Sequence, residues 1–480
     1  MIEETVTVLE WFKESKPEKS DVQIPQWNTP QKPNWKNPWW NDENSITHKA
    51  AIKFTEDANI SGQNYNSNES DEHAILVTKW TVTISDATIT KTWDSEWDTT
   101  DFYWTNAATI STDWILELVN VTVNTDWKHA NAVFAYWSWE VNIWDSTITT
   151  KNDNSWWIMV TWWWRLSASN VNITTEWNSS AAIRSDRWGW DIYVDWWEYT
   201  TNWAGSPAIY STANIRVDNA KLTSTKSEWI IIEGKNSVII SGSTLTNTNT
   251  VLHWHSSTYK NIFLYQSMSW DADEWTASFK ADWCKIITNK WDSIYVTNTK
   301  AEIELEDNEI INNDWDFLRI EWAARGKHGS NWWDVDLNLT NQDVQWDIIV
   351  DDISSLSMTL TEGSSFQWAI NSENQSQNIS VKLDSTSTWT LTSDSYISSL
   401  ESNTEWYSNI NLNWHILYIW ENIVTSTEQL QQSESWLTTV ELINKSNDLN
   451  FSTTNLILWW IGIIIVFIAI LICIRTYTKK

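Results

Sequence analysis

Glycine is scarce in this 480-residue chain, which contains nine glycines but 44 tryptophans. Glycine normally makes up about 7% of a protein, and tryptophan is among the rarest residues. A run such as Trp162–Trp164 has no use in a soluble domain and is typical of glycine. Some bacterial lineages read the UGA codon as glycine, and translating that codon as tryptophan would produce this composition. Our hypothesis is that most tryptophan positions are physically glycine. Mass spectrometry that found tryptophan at 162–164 of the native protein would contradict it.

Cysteine and cationic residues are scarce as well. The two cysteines, Cys284 and Cys473, lie far apart in the sequence, which excludes a framework of disulfide bonds. The 31 lysines and arginines are outnumbered by 62 acidic residues, so the net charge is −31. Nucleic-acid binding needs clustered cations, so nucleic acid is excluded as a partner. The acidic excess favours a solvated exterior that repels other copies, with adventitious binding of divalent cations as the alternative.

Proline is confined almost entirely to the N-terminal region, where five of the six prolines lie within the first 44 residues. With glycine in place of tryptophan, Asp21–Asn44 is rich in Pro, Gly and Asn and has no apolar period. This composition predicts a disordered linker over residues 1–44. Met1–Ser20 lacks a basic start followed by an apolar core, so no secretory signal is present as written.

One long apolar run occurs near the C-terminus. Leu456–Ile474 contains nineteen residues without a charge, which is long enough to cross a bilayer as a helix. Arg475, Lys479 and Lys480 follow it, and the basic flank of a membrane span stays in the cytoplasm. We therefore predict a single-pass protein of the cell membrane with its body outside. The predicted segments are a juxtamembrane stalk at 426–454, a transmembrane helix at 455–475 and a cytoplasmic tail at 476–480.

This orientation conflicts with the missing secretory signal, because the body would have to cross the membrane. We expect the genomic reading frame to extend upstream of Met1 and to encode a basic, apolar leader. The alternative is a tail-anchored protein that faces the cytosol. Protease treatment of intact cells separates the two, since only a body outside the membrane is digested.

The rest of the chain repeats a short template. The segments TISDATITKT from Thr83, ELVNVTVNTD from Glu117 and NIWDSTITTK from Asn142 each place two apolar residues five positions apart. Most successive templates are separated by 23 to 26 residues, a period that marks a solenoid in which each repeat buries its apolar face against its neighbours. The paired apolar positions are Ile84 and Ile89, Leu118 and Val123, Ile143 and Ile148, Ala168 and Ile173, Val194 and Tyr199, Val217 and Leu222, Ile240 and Leu245, Ala281 and Ile286, Leu305 and Ile310, and Leu339 and Val344.

The residue types identify the solenoid as a parallel β-helix over 45–425, an all-β fold; the resemblance described below implies that it is right-handed. The repeats are rich in Val, Ile and Thr, and no segment shows the period of a helical repeat. The position two after the first apolar residue holds mostly Asn, Asp or Gly, which tolerate a left-handed backbone at a tight corner. We predict a left-handed corner at each of these positions and glycine at the two tryptophans among them. The corner positions are Asp86, Asn120, Asp145, Asn170, Trp196, Asn219, Gly242, Trp283, Asp307 and Asn341.

Since coils need glycine at corners and loops, we expect most indoles to lie exposed there rather than in the core. Trp459 and Trp460 are exceptions, because they belong to the apolar C-terminal run.

From about Ser61 to Thr425 the chain resembles the adhesin-like, right-handed β-helix surface proteins of host-associated and candidate-phylum bacteria. The segment SPAIYSTANIRVDNAKLTSTKSEWIIIEGKNSVIISGSTL, from Ser206 to Leu245, carries the clearest likeness. FLYQSMSWDADEWT, SIYVTNTKAEIEL and WDIIVDDISSLSMTLTEGSSFQWAI add to it, and the family has glycine where tryptophan stands here. The resemblance implies a β-helix at the cell surface and supplies no catalytic residues.

The expected function is that of an adhesin-like or cell-envelope structural protein with a non-catalytic binding or shielding role. The expected ligands are glycans or host and cell-surface molecules, and no cofactor is expected. The alternative is a surface polysaccharide lyase or hydrolase, which would line a groove with converging acids. Asn124–Asp126 and Asp351–Asp352 each resemble a fragment of the polygalacturonase signature, but the Gly-His-Gly element of that signature is absent. We therefore predict no catalytic residues.

Two further patterns are interpreted as structural. His253 and His255 are spaced to share a strand face and could ligate a metal, but no cysteine or acid lies at a suitable spacing, so we predict a solvated pair and no metal site. The threonines that follow the second apolar position predict an outward ladder, which suits a flat recognition surface but is more often a plain β-forming face. These threonines are Thr90, Thr149, Thr174, Thr200, Thr223 and Thr246.

Overall fold

The computed structural model describes residues 47–429 apart from 94, 96–104, 137–139, 153–154, 156–157, 162–164, 177–179, 187–190, 250–251, 253–258, 267–271, 273–275, 289–291, 313–315, 324–332, 405–406, 421 and 427–428. The predicted linker, transmembrane helix and tail, and nearly all of the predicted stalk, lie outside these residues. Within the described part of the chain, no helix has the length and apolar character needed to cross a membrane.

The described chain winds into a parallel β-solenoid of about thirteen turns and of right-handed type. Each complete coil passes through three faces in the same order. The first face is a twelve-stranded sheet. Its strands are β1 (Lys49–Phe54), β4 (Glu72–Val77), β7 (Thr109–Ser111), β10 (Val133–Tyr136), β12 (Ile158–Thr161), β14 (Ile183–Asp186), β16 (Ile209–Ser211), β19 (Ile230–Glu233), β22 (Lys260–Tyr265), β25 (Asp292–Thr297), β28 (Leu318–Ile320) and β31 (Ile348–Val350).

The second and third faces meet at the predicted corner. The second face contains β2 (Ala58–Ser61), β5 (Val82–Ser85), β8 (Ile115–Val119), β17 (Asn214–Asp218), β20 (Ser237–Ser241), β23 (Thr276–Asp282), β26 (Lys300–Glu306), β29 (Trp333–Thr340), β32 (Ser354–Thr361), β34 (Asn378–Leu383) and β37 (Ser399–Ser402). The third face contains β3 (Asn64–Ser67), β6 (Thr88–Lys91), β9 (Thr122–Thr125), β18 (Lys221–Ser224), β21 (Thr244–Asn247), β24 (Lys285–Thr288), β27 (Glu309–Asn312), β30 (Asp343–Gln345), β33 (Ser365–Gln367), β35 (Thr388–Thr390) and β38 (Ile410–Asn411). Three longer strands run through both faces: β11 (Glu140–Thr150), β13 (Arg165–Thr175) and β15 (Asp191–Thr201).

A small sheet ends the described solenoid. It consists of β36 (Ser395–Ile397), β39 (Leu417–Ile419) and β40 (Asn422–Val424). β36 and β39 are parallel, whereas β40 runs antiparallel to β39. The change of direction covers the edge of β39 with a strand that breaks the parallel stacking.

The predicted apolar columns are confirmed. The ten first positions, from Ile84 to Leu339, pair in register from coil to coil, and all ten are buried. Most of the second positions form a parallel column from Ile89 to Ile310, and Val344 continues the third face by pairing with Phe366. Burying one such side chain contributes about 1.5–3 kcal/mol, so these two columns hold the coils together.

All ten predicted corners are also confirmed, since each has a positive φ between 46° and 58°. Asparagine and aspartate side chains at the corners of neighbouring coils also form hydrogen bonds with each other. The Asn120 amide donates to Asp86 at 2.7 Å, and the Asn170 amide donates to Asp145 at 2.6 Å. Trp196 and Trp283 have φ values of 50° and 54°, and their side chains are 65% and 68% exposed. An indole at these corners therefore bears the cost of a left-handed backbone without the gain of burial.

The described tryptophans lie mainly outside the core. Trp197, Trp229 and Trp389 are buried. Nine others are exposed: Trp80, Trp93, Trp114, Trp127, Trp196, Trp283, Trp322, Trp414 and Trp420.

Replacing Trp196 by glycine is expected to stabilise the solenoid by about 1 kcal/mol, because glycine removes the cost of the left-handed corner while little buried surface is lost. Trp144 is the matched control, since it lies half-buried in β11 with no positive φ. Trp144→Gly is expected to cost about 0.5–1 kcal/mol. Urea unfolding followed by circular dichroism checks both. A loss of stability in Trp196→Gly would contradict the glycine interpretation of this corner.

Candidate functional site

The residues singled out from the sequence do not form a common site. His253 and His255 lie outside the described residues. Asn124 lies on β9 of the third face, whereas Asp351 follows β31 of the first face, nine coils further along. At roughly 4.8 Å per coil this separation is about 40 Å, so the two polygalacturonase-like fragments do not meet.

The threonine ladder is present on the outer side of the third face. The predicted threonines stack in register, with Asn124 between Thr90 and Thr149. Other outward positions of this face carry ion pairs, such as Lys221 with Glu198 at 2.7 Å. The face is therefore not a uniform threonine array.

An open cleft of about 350 Å³ lies on the outer side of the second face, and we call it the Tyr193 cleft. It extends over five neighbouring strands, β11, β13, β15, β17 and β20. Two outward rows line it, because side chains two apart in a strand point to the same side and parallel strands stack in register. The first row is Glu140, Arg165, Asp191, Asn214 and Ser237, and the second is Ser167, Tyr193, Arg216 and Ile239.

From Arg165 to Ser237, the first row is a chain of polar contacts. Arg165 Nε lies 3.7 Å from Asp191 Oδ2, and the Asn214 amide donates to Asp191 Oδ1 at 3.5 Å. Ser237 Oγ donates to Asn214 Oδ1 at 2.9 Å. Burial raises the pKa of Asp191 above its ordinary value. The row thus presents hydrogen-bond donors and acceptors on consecutive coils.

Tyr193 provides an aromatic surface beside this row, with 41% of the residue exposed. Burial, followed by the charges of Asp218 and Asp195 and a hydrogen bond to Asp218, raises the pKa of Tyr193 to about 12. The phenol is therefore neutral at physiological pH. Asp218 also accepts hydrogen bonds from Arg216 Nε at 3.1 and 3.0 Å.

The charges that line the cleft balance. Glu140 and Asp191 are acids, and Arg165 and Arg216 are cations. Both cations already contact carboxylates, Arg165 at Asp191 and Arg216 at Asp218. The charges of these four lining residues therefore cancel, on the surface of a chain whose net charge is −31.

A second group of polar and aromatic side chains occupies the outer side of the first face, and we call it the first-face cluster. Its centre is Glu233, which is fully buried. Tyr210 and Tyr265 donate hydrogen bonds to Glu233 Oε2 at 2.5 and 3.0 Å, and their hydroxyl oxygens are 2.8 Å apart. Burial, then the proximity of Tyr265 and Glu233, raises the pKa of Tyr210 well above its ordinary value. Two tyrosine hydroxyls thus donate hydrogen bonds to one buried acidic side chain.

Lys260 extends the cluster along the first face. Its ammonium lies 4.2 Å from the centre of the Phe263 ring and 5.2 Å from that of Tyr295. Its Nζ is 3.9 Å from Glu228 Oε1, and both side chains are nearly inaccessible. The ring faces and the carboxylate compensate for burying the cation.

Three acids converge on Arg319 at the far end of the cluster. Arg319 Nε lies 2.7 Å from Asp292 Oδ2, Arg319 Nη1 lies 3.7 Å from Glu321 Oε2, and Arg319 Nη2 contacts Asp316. Asp292 is fully buried, and its pKa is raised to about 7 by burial, which outweighs the opposing effect of Arg319. Asp316 and Glu321 lie within three residues of Arg319, whereas Asp292 lies on β25, one coil earlier. Sequence reasoning missed the contact with Asp292, because the connections between first-face strands are of unequal length.

No protein-family model, no curated protein and no solved structure matches this chain.

Two histidines near the first strand form a neutral pair. His48 Nδ1 lies 3.0 Å from His73 Nε2. Burial lowers the pKa of His48 to about 4, and burial with the nearby charge of His48 lowers the pKa of His73 well below its ordinary value. Over the described ranges, no three His, Cys, Asp or Glu side chains are placed to hold a metal ion.

Cys284 is a buried free thiol on the inner side of the corner that follows β23. Burial raises its pKa to about 12, so it stays protonated and unreactive.

Proposed function

We propose that this chain is an adhesin-like surface protein whose solenoid binds glycans, without catalysis, at the Tyr193 cleft. The observation that carries the proposal is the placement of an exposed, neutral tyrosine beside a continuous row of donors and acceptors. A sugar ring has an apolar C–H face that packs on an aromatic ring and hydroxyl groups that both donate and accept hydrogen bonds. The two rows of the cleft are complementary to these two features.

The non-catalytic role is supported by the position of the acids. Asp292 has a pKa close to the operating pH of a general acid, but it is fully buried and bound by Arg319. A carboxylate in that position cannot reach a polysaccharide without first losing its ion pair. Membrane anchoring through 455–475 and display of the solenoid outside the cell belong to the same proposal, and they rest on the sequence pattern alone.

Replacing Tyr193 by alanine in the full chain is expected to weaken glycan binding at least about tenfold, because the stacking surface is lost. Tyr193→Phe keeps the ring and is expected to retain most of the binding. Tyr418→Ala is the matched control: Tyr418 stacks on Tyr396 in the small C-terminal sheet at 4.2 Å, far from the cleft. A glycan array finds the ligand class, and titration calorimetry of the three variants measures the effect.

The control decides how the result is interpreted. If Tyr193→Ala and Tyr418→Ala bind equally well, the cleft is not the glycan site. If the array shows no glycan bound by the unaltered chain, the proposed function is wrong.

A polysaccharide lyase or hydrolase acting at the first-face cluster is the second candidate. It is favoured by the concentration of buried ionisable groups there, since such groups with shifted pKa values are common in active sites. Release of new reducing ends or unsaturated sugars by the full chain, abolished in Glu233→Gln or Asp292→Asn, would establish it.

A further inference from the structure

We infer that the ligand of the Tyr193 cleft is an extended, uncharged polysaccharide that lies along the solenoid axis and spans about four sugar units. This inference rests on the proposed function, because it assumes that the cleft binds a glycan. It adds the direction, length and charge class of the ligand.

The direction follows from the way the cleft is built. Its rows cross five strands, β11, β13, β15, β17 and β20, and polar contacts run from Arg165 on β13 to Ser237 on β20. Four strand spacings of roughly 4.8 Å make the cleft about 19 Å long. Across the strands, the two rows are only about 7 Å apart, which is the distance between alternate residues of one strand. A long ligand therefore finds continuous partners only along the axis.

The spacing of the coils suits a polysaccharide. In an extended β-1,4-linked chain, each pyranose unit advances by about the height of one coil. Successive sugars then meet successive members of the polar row, such as Asp191, Asn214 and Ser237. Tyr193 lies on β15, the middle strand of the five, so it stacks on a sugar near the centre of the bound segment.

The charge class follows from the pairing of the cations. A uronic acid or sialic acid needs a guanidinium or ammonium group that can turn toward its carboxylate. Arg216 donates two hydrogen bonds to Asp218, and Arg165 lies 3.7 Å from Asp191, so each cation of the cleft already has a carboxylate neighbour. The net charge of −31 also repels a polyanion as it approaches. A neutral sugar does not require a cation of the cleft to leave its carboxylate partner, and the net negative charge does not repel it.

Titration calorimetry of the full chain with oligomers of increasing length tests the inference. The neutral probes are β-1,4-linked oligomers of glucose, mannose and N-acetylglucosamine with about two to eight units, the range set by a 19 Å cleft. For at least one of these series the Kd is expected to fall with each added unit up to about four units and then to stay constant. Uronic-acid oligomers of the same lengths are expected to bind at least about tenfold more weakly.

A variant at one end of the cleft tests the direction. Ser237→Phe places a bulky side chain on β20 and blocks that end of the cleft. The Kd should then stop falling at an oligomer about one unit shorter, while the Kd of the shortest oligomer should not change. Ser380→Phe, at the corresponding outward position of β34, is the matched control and should leave the length dependence unchanged.

The outcomes separate this inference from the proposed function. Glycan-array binding that is lost in Tyr193→Ala but does not depend on oligomer length overturns the axial arrangement and leaves the proposed function intact. Tighter binding of the uronic-acid oligomers overturns the neutral class. Binding by none of the neutral series overturns the inference as a whole, and a blank array in addition overturns the proposed function.

Discussion

Trp389→Ala is expected to destabilise the solenoid by about 3–5 kcal/mol, whereas Trp197→Ala is expected to leave its stability unchanged or raise it. Trp389 is fully buried, and its Nε1 donates to the Trp368 carbonyl at 3.0 Å. It stacks between Phe366 and Ile410, so its column is built from large side chains. Removing the indole there opens a cavity and removes a hydrogen bond.

Trp197 is buried to the same degree in a different kind of slot. It pairs with Val171, and the following coil places Ala220 at the same inner position, next to the corner. Other coils have Ala87 and Ser146 at this position. The Trp197 Nε1 has no hydrogen-bond partner among the described residues, a deficit that costs about 1–3 kcal/mol. The indole of Trp197 is therefore too large for a position that holds small residues in several coils, and its N–H lacks a hydrogen-bond acceptor there.

The two variants are compared by urea unfolding and by hydrogen exchange of the affected coil. The exchange measurement is needed because coils contact only their neighbours and the solenoid need not unfold in one step. Trp414→Ala is the control for loss of an exposed indole, since Trp414 is completely exposed. Equal losses at Trp389 and Trp197 would mean that the Trp197 slot suits an indole, contrary to the glycine hypothesis.

Arg319→Met is expected to destabilise the protein by about 3–5 kcal/mol at pH 8 and much less at pH 5. Without Arg319, ionised Asp292 would be a buried carboxylate without its counter-ion. At pH 5 the carboxyl is protonated in the folded state, because its folded pKa of about 7 lies above the ordinary value of 3.8. The substitution then leaves a neutral group, which is far less costly to bury.

The raised pKa of Asp292 also determines whether the folding stability of the unaltered protein rises or falls with pH. Between about pH 4 and pH 7 the folded state holds a proton on Asp292 that the unfolded state has lost. Stability from this group therefore falls as pH rises through that window, by at most about 1.4 kcal/mol per pH unit. Asp292→Asn removes this contribution, so the difference between the two unfolding curves isolates it.

The histidine pair changes folding stability with pH in the opposite direction to Asp292. The lowered pKa of His48 makes stability rise with pH over the same window. Its contribution is common to both proteins and cancels in the difference. An identical cost for Arg319→Met at pH 5 and pH 8 would contradict the assignment of the raised pKa to Asp292.

The core columns and corners were predictable because they depend on local rules. Apolar residues five positions apart identify Ile143 and Ile148 as inward, and the residue between them at Asp145 must accommodate a left-handed backbone. The repeat spacing then determines which residues stack. The second row of the Tyr193 cleft could have been found in the same way, because Ser167, Tyr193 and Arg216 each precede the first apolar residue of a repeat.

The first-face cluster could not be derived from the same rules. Ile231 pairs with Phe263, 32 residues later, whereas Tyr210 pairs with Ile231 after only 21. Connections of unequal length hide the stacking of the first-face strands from a periodic alignment. The raised pKa of Asp292 depends further on burial, which no local pattern encodes.

The parallel stacking of coils has a mechanical consequence. Along the axis, each coil is hydrogen-bonded to the one before and the one after, so a pulling force applied at the end of the solenoid acts on one coil at a time. Detaching a coil of 23 residues, such as the one from Val194 to Val217, releases about 80 Å of extended chain. The solenoid therefore yields in steps and dissipates work at each one while the remaining coils stay folded. A protein that holds a ligand against flow would gain extension in this way before its bound coils came under load.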